Sequence, residues 1–214
     1  MTKLFVFDLG NVILPFEHRQ IATKLHARST DKTGCSPRQI FDVMFDLEHG
    51  LVNPYEEGTM SSRQFFLELK DRFKLDMDLE EFCEVWNPIF TEDQEVSAAI
   101  RYLKARGYPL FLLSNTNELH FSYIMEKFPV VHIFDEWILS FEVGAKKPSR
   151  RIYDAVFERM DIRPGEVFYI DDIPRYVEAA GFLGIRGMVF EDAGQLWRTL
   201  RRVEVGERQV GGGV

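Results

Sequence analysis

The chain has 214 residues, 45% apolar and 28% charged, enough for one sizeable hydrophobic core with an elaboration. Its formal net charge of −8 and the lack of any basic stripe argue against a nucleic-acid partner, because binding a phosphate backbone needs clustered Lys and Arg. No apolar run is long enough to span a bilayer, and the first one meets Asp8 too early for a signal peptide, so a cytoplasmic protein with no membrane partner is expected. Cys35 and Cys83 stand far apart with no His cluster, which fits reduced thiols and supports neither a disulfide framework nor a zinc site.

In chain order, residues 4–7 form a short apolar run that ends at Asp8 and a Gly10-Asn11 pair, the pattern of a buried parallel strand entering a turn. Residues 15–88 leave that rhythm for amphipathic helical patterns. Residues 64–73 set Phe65, Phe66, Leu69 and Phe73 on one side, after N-cap candidates in Thr59-Met60-Ser61-Ser62, and residues 79–86 do the same with Phe82, Val85 and Trp86. This stretch predicts an all-helical insertion whose aromatics serve packing. Residues 96–106 and 152–160 predict helices. Residues 109–113 predict a strand ending at Ser114-Asn115-Thr116-Asn117, and residues 167–170 one ending at Asp171-Asp172; weaker strand signals lie at 136–140 and 187–190. Pro174 suits the first turn of a helix. Residues 206–214 are Gly-rich and expected to fray.

Short buried strands alternating with helices predict right-handed crossovers and a doubly wound parallel sheet of the α/β class. In such sheets ligands sit at the carboxyl ends of the strands. Asp8, Ser114, Asn115, Asp171 and Asp172 are therefore expected to meet in space, beneath a cap formed by residues 15–88.

Four segments then carry a family resemblance. Asp8-Leu9-Gly10-Asn11-Val12, Ser114-Asn115-Thr116, Lys147-Pro148 and Asp171-Asp172 resemble, in order, the four motifs of the haloacid dehalogenase superfamily. Gly144-Ala145-Lys146-Lys147-Pro148, followed by Ile152-Tyr153, looks like that family's Gly-x-x-Lys-Pro segment and its helix. Tyr55-Glu56-Glu57-Gly58-Thr59 looks like the cap segment of the subgroup with a helical cap. Four motifs in order, each at a strand end or helix start, speak for the fold more than for the substrate. The resemblance implies a Rossmann-like hydrolase core of residues 1–14 and 89–205, a helical cap of residues 15–88, and a Mg²⁺-dependent phosphatase acting on a small phosphorylated metabolite.

It assigns Asp8 as nucleophile and Asp8, the Gly10 carbonyl and Asp172 as Mg²⁺ ligands, with Asp171 binding the ion through water or orienting a partner. Each role has a physical rationale. A carboxylate that attacks phosphorus forms an acyl phosphate for water to hydrolyse, splitting one hard displacement into two easier ones. Carboxylate and carbonyl oxygens are the donors Mg²⁺ prefers. Ser114 and Asn115 offer a hydroxyl, an amide and backbone N–H groups to phosphate oxygens. Lys147, chosen over Lys146 by its offset to Pro148 and Tyr153, adds positive charge to the transition state and holds Asp8 ionised.

Two positions depart from the family pattern. Phosphatases of the family usually carry a second Asp two residues after the nucleophile, as general acid and then base, and here that residue is Gly10. Such a group contributes a factor of about 10² to 10⁴ in rate. Its loss is compatible with a 2-haloacid dehalogenase, since halide leaves without a proton, or with a catalytically silent binding or regulatory member. It is equally compatible with the form, similar to bacterial α-D-glucose-1-phosphate phosphatases, that shares the Asp-Leu-Gly-Asn-Val and Ser-Asn-Thr-Asn stretches, where an anomeric leaving group depends less on an acid. The last reading is preferred here, with Glu17, His18 or Glu56 as hypothetical substitutes for the missing proton donor. Beyond Asp171-Asp172, Tyr176 falls near the place of a residue that often tunes the metal site, and a neutral Tyr is a poor Mg²⁺ ligand.

Overall fold

The computed structural model describes residues 2–31, 34–46 and 48–210, with side chains as far as Val203. Strand β1 (Leu4–Phe7) is followed by five helices, α1 (Arg19–Arg28), α2 (Pro37–Phe45), α3 (Val52–Glu56), α4 (Ser62–Phe73) and α5 (Leu79–Trp86). The alternating part then runs α6 (Gln94–Ala105), β2 (Leu110–Ser114), α7 (Glu118–Lys127), β3 (Glu136–Leu139), α8 (Ser140–Val143), α9 (Arg150–Arg159), β4 (Val167–Asp171), α10 (Pro174–Phe182), β5 (Arg186–Val189) and α11 (Ala193–Val210). The predicted strand at 136–140 gives up Ser140, which opens α8. The segment expected to fray meets the end of α11 at Val210, and residues 211–214 lie outside the described residues.

All strand pairings are parallel, in the order β3-β2-β1-β4-β5. Parallel sheets are covered on both faces, which is why β1, β2 and β4 read as unbroken apolar runs and not as alternation. Successive side chains of β1 serve opposite layers: Phe5 and Phe7 join one core with Leu110, Leu112 and Ile170, while Leu4 and Val6 join the other with Phe111, Leu113 and Tyr169. The chain begins at the central strand, builds outward to β3, then returns to build β4 and β5 on the other side. The strand order therefore reverses beside β1, and the crevice of such a sheet opens there.

The five inserted helices close a third core of their own, centred on Phe65, Leu69, Phe82 and Trp86. Each such fully buried side chain contributes about 1.5–3 kcal/mol. Their starts are written locally: Ser36, Ser61 and Asp78 each cap a helix reciprocally with Gln39, Gln64 and Glu81. The chain enters and leaves the insertion along one paired track, with Glu17 N–H donating to Ile89 O at 3.3 Å and Thr91 N–H to Pro15 O at 2.9 Å. A second junction lies at Gly58, whose φ is +69° and where a Cβ would fall 2.0 Å from the Phe141 carbonyl oxygen of α8, so only glycine fits. Among the described residues, no helix is long and apolar enough to cross a membrane, and both cysteines are free thiols.

Candidate active site

Asp8 is the first residue beyond β1, and its N–H still donates to Ile170 O at 2.8 Å, so the central strand pair carries it to the rim of the crevice. Asp171 closes β4, and Asp172 follows it. Oxygens of these three carboxylates lie within 4.8 Å of one another. Lys147 reaches them from the loop between α8 and α9. Its ammonium donates to Asp8 Oδ1 at 2.7 Å, Asp171 Oδ2 at 2.7 Å and Leu113 O at 3.1 Å, which uses all three of its protons.

The two neighbouring aspartates are not equivalent. Asp171 is fully buried and its carboxylate is taken: Oδ1 accepts from Ile173 N–H at 2.8 Å, and Oδ2 accepts from both Lys147 and the Tyr169 hydroxyl. Asp172 is half-buried, is hydrogen-bonded by the Asn11 side chain, and lines a cavity of about 570 Å³ together with Asp8, Gly10, Asn115 and Lys147. Asp171 and Ser114 do not line it; Ser114 lies buried at the end of β2.

Three carboxylates face one ammonium here. Burial pushes the Asp8 carboxyl up to about 7 against the pull of Lys147, with Asp171 and then Asp172 adding to the rise. Burial, then Asp171, likewise raises Asp172. Burial pulls the Lys147 ammonium down, but Asp8 and Asp171 outweigh it and leave it raised. A cluster of hard oxygen donors short of positive charge suits a hard divalent cation, with Asp8 and Asp172 presenting the open donors and Gly10 beside them.

Asn115 also holds the loop that carries Lys147. Helix α7 is capped by Asn117, which accepts from His120 N–H, and not by Ser114 or Asn115. The Asn115 amide is engaged at both ends: Oδ1 accepts from Lys147 N–H at 2.8 Å, and Nδ2 donates to Lys147 O at 3.2 Å and to the Tyr176 hydroxyl at 3.4 Å. It pins the peptide that carries the lysine. Tyr176 stands outside the carboxylate group, its ring 5.2 Å from the Lys147 ammonium.

Of the three hypothetical proton donors, His18 and Glu56 line the cavity and Glu17 does not. Glu17 accepts from Arg19 N–H at 3.0 Å. Burial lowers His18 to about 4. Glu56 is raised by burial against Lys146, whose ammonium also meets Asn53 Oδ1. Sequence reasoning passed over Asn11, Tyr169 and Phe16. The one available signal was for Asn11, which stands inside a recognised motif and takes a positive φ of 54°.

The profile of the haloacid dehalogenase-like hydrolases matches residues 2–184. The chain belongs to that family. The D-ribitol-5-phosphate phosphatase of Bacteroides thetaiotaomicron is 28% identical over 207 residues, which cover 92% of this chain and 96% of that protein. The phosphorylated carbohydrates phosphatase of Thermotoga maritima is 29% identical over 143 residues, 65% of this chain and 66% of that protein. A solved structure of a HAD family enzyme from Bacteroides thetaiotaomicron, in complex with magnesium and inorganic phosphate, superposes with a TM-score of 0.78 at 24% identity, covering 92% of this chain and 99% of that one. At that identity the likeness establishes the fold, a Rossmann-like parallel sheet. This haloacid dehalogenase-like protein is a hydrolase, and both of these relatives are phosphatases.

Proposed function

We propose that this hydrolase is a Mg²⁺-dependent phosphatase of a small phosphorylated carbohydrate, working through an aspartyl-phosphate on Asp8. The observation that carries the reading is the Lys147 ammonium held 2.7 Å from Asp8 at the floor of the cavity, with Asp172 open beside it. Asp8, the Gly10 carbonyl and Asp172 would hold the metal, which supplies positive charge to the phosphoryl oxygens. Asp171 acts through Lys147 and Tyr169 as a positioning residue.

One oxygen of Asp8 attacks phosphorus as the ester P–O bond breaks, and its electron pair stays on the leaving oxygen. The ammonium of Lys147 faces the charge that develops on the transferring group. Water then attacks phosphorus and gives up a proton to the departing phosphate or to solvent, the P–O bond to Asp8 breaks, and the carboxylate returns. Helices α1–α5, within residues 15–88, serve as a cap that keeps bulk water out during the first step.

Phosphate release from a panel of sugar and sugar-alcohol phosphates tests the reading. Release is expected with Mg²⁺, is lost in EDTA, and falls to background in Asp8→Asn. Halide release from 2-haloacids in EDTA with no phosphate release would replace it with a dehalogenase. A panel with no turnover above Asp8→Asn would make the chain a silent member of the family.

A further inference from the structure

The residue two places beyond Asp8 is a glycine for a reason visible in its surroundings. A Cβ at Gly10 would lie 2.6 Å from Cε1 of Phe16, inside van der Waals contact. The Phe16 ring is held in place by His18 at 4.4 Å and by Phe90 at 5.9 Å. His18 in turn stacks on Phe45 at 4.3 Å with an interplanar angle of 14°, and Phe45 packs against Phe41 at 5.1 Å. Phe16, His18, Phe41, Phe45 and Val52 all line the cavity, on residues of the insertion.

The attacking and leaving oxygens of a phosphoryl transfer lie roughly in line. With Asp8 on the sheet side of the cavity, an in-line displacement sends the leaving oxygen toward the side lined by the insertion. The side chains on that side are poor acids, with the exception of Glu56. Phe16 has no proton to give, His18 is buried in its neutral form, and Asp46 accepts the N–H groups of Glu48 and His49, which hold it ionised. Glu56, whose carboxyl burial raises against Lys146 at 3.4 Å, is the candidate proton donor whose removal the test below includes.

We propose that Phe16 is a specificity-determining residue: its ring fills the space beside Asp8 that a side chain at position 10 would occupy, and restricts the site to phosphate esters whose leaving oxygen departs without receiving a proton from the protein. The proposal rests on the phosphatase reading above and narrows it. As the P–O bond breaks, the electron pair goes to an oxygen that is stable as an anion and takes its proton from water after departure. Aryl and anomeric esters share this chemistry, and a flat or apolar face lets either lie against Phe45 and Phe41. Esters of primary alcohols do not share it.

The test is kcat/KM for p-nitrophenyl phosphate, phenyl phosphate, glucose 1-phosphate and glucose 6-phosphate, with Mg²⁺ present. We expect glucose 6-phosphate to be slower than the weakly basic esters by about 10²-fold or more, the range a missing general acid covers. Glucose 1-phosphate above the aryl esters identifies an anomeric substrate, and the reverse order an aromatic one; either order supports the proposal. The double variant Gly10→Asp/Phe16→Ala makes room for an acid, and is expected to narrow the ratio of glucose 1-phosphate to glucose 6-phosphate at least about tenfold. Glu56→Gln leaves that ratio as in the unaltered protein.

Equal turnover of glucose 6-phosphate and the weakly basic esters overturns the proposal while leaving the phosphatase reading intact. So does a ratio that Glu56→Gln alone shifts, because a proton donor would then be present. Failure of all four esters sinks the phosphatase reading itself. If the double variant does not fold, the series on the unaltered protein still decides.

Discussion

Replacing Lys147 by Met keeps the length of the side chain and removes its charge. Lys147 is 3% exposed, and its ammonium is the counter-charge to two carboxylates at 2.7 Å. With both carboxylates ionised, breaking such a buried pair costs about 3–5 kcal/mol. The carboxylates can respond by taking up a proton. Burial already lifts Asp8 from its ordinary 3.8 to about 7 with the lysine present, and the variant raises it further. A carboxyl whose folded value lies above its unfolded one binds more protons in the folded chain, so stability falls as pH rises through that window. Each unit of the difference corresponds to about 1.4 kcal/mol. The deficit of Lys147→Met against the unaltered protein is therefore expected to be about 1–2 kcal/mol at pH 5 and larger by about 1.4 kcal/mol at pH 8, one unit above the Asp8 value. For a chain of this size 1 kcal/mol moves the melting temperature by about 2–4 °C, so Tm should drop by roughly 10 °C at pH 8 and by a few degrees at pH 5. Thermal melts at both pH values, in chelator, measure this. Equal losses at the two would show that Lys147 is not neutralising buried carboxylates.

Two further outcomes follow from the same geometry. Asp172→Asn should raise the Mg²⁺ concentration needed for half-maximal activity by 10-fold or more, on the order of what loss of a ligand or its support costs, whereas Asp171→Asn should lower kcat and leave that concentration within a few-fold; a titration in which the two variants behave alike would contradict the division between them. His120, buried between Trp86 O and the Asn117 side chain, is lowered by burial to about 3 from an unfolded value of 6.5. Because the unfolded chain binds the extra proton, His120 contributes stability that is present above pH 6.5 and lost as pH falls. Between pH 7 and 5 the loss from this one ring is about 2 kcal/mol, so His120→Gln should show a flatter pH dependence of unfolding in denaturant over that interval. Parallel curves for the two proteins would remove His120 as the cause.

The sheet was legible because its strands are buried on both faces: an uninterrupted Leu-Phe-Val-Phe or Val-Phe-Tyr-Ile can only be a short covered strand, and a carboxylate at its end has one exit, into the crevice. The insertion was legible as helices from the spacing of Phe65, Leu69 and Phe73 and from the N-cap candidates in Thr59-Met60-Ser61-Ser62 ahead of them. The partners of individual side chains were not legible. The Tyr169 hydroxyl sits inside an apolar run, where a Tyr reads as packing, yet it reaches the Asp171 carboxylate two residues on. Asn115 carries a motif but gives no sign that its amide will grip a peptide 32 residues away. Phe16 reads as one more apolar residue after a turn, and only the approach of its ring to Gly10 turns an absent side chain into a filled space. Periodicity fixes which face a residue takes. It does not fix what that face meets.

The adjacent lysines show how the two halves of the molecule are referred to one another. Asn115 clamps both the N–H and the carbonyl of Lys147, so that peptide is fixed to the end of β2. From this fixed point the Lys147 side chain runs down to Asp8 and Asp171, while the Lys146 side chain reaches Asn53 and Glu56 on α3. Lys146 and Glu56 are both mostly buried, at 16% and 19% side-chain exposure, so their attraction is screened less than that of a surface pair. One short loop therefore holds the nucleophile's counter-charge and a polar tether to the insertion. A displacement of α3 away from the sheet breaks the Lys146 contacts, which lie on the residue next to the one that neutralises Asp8.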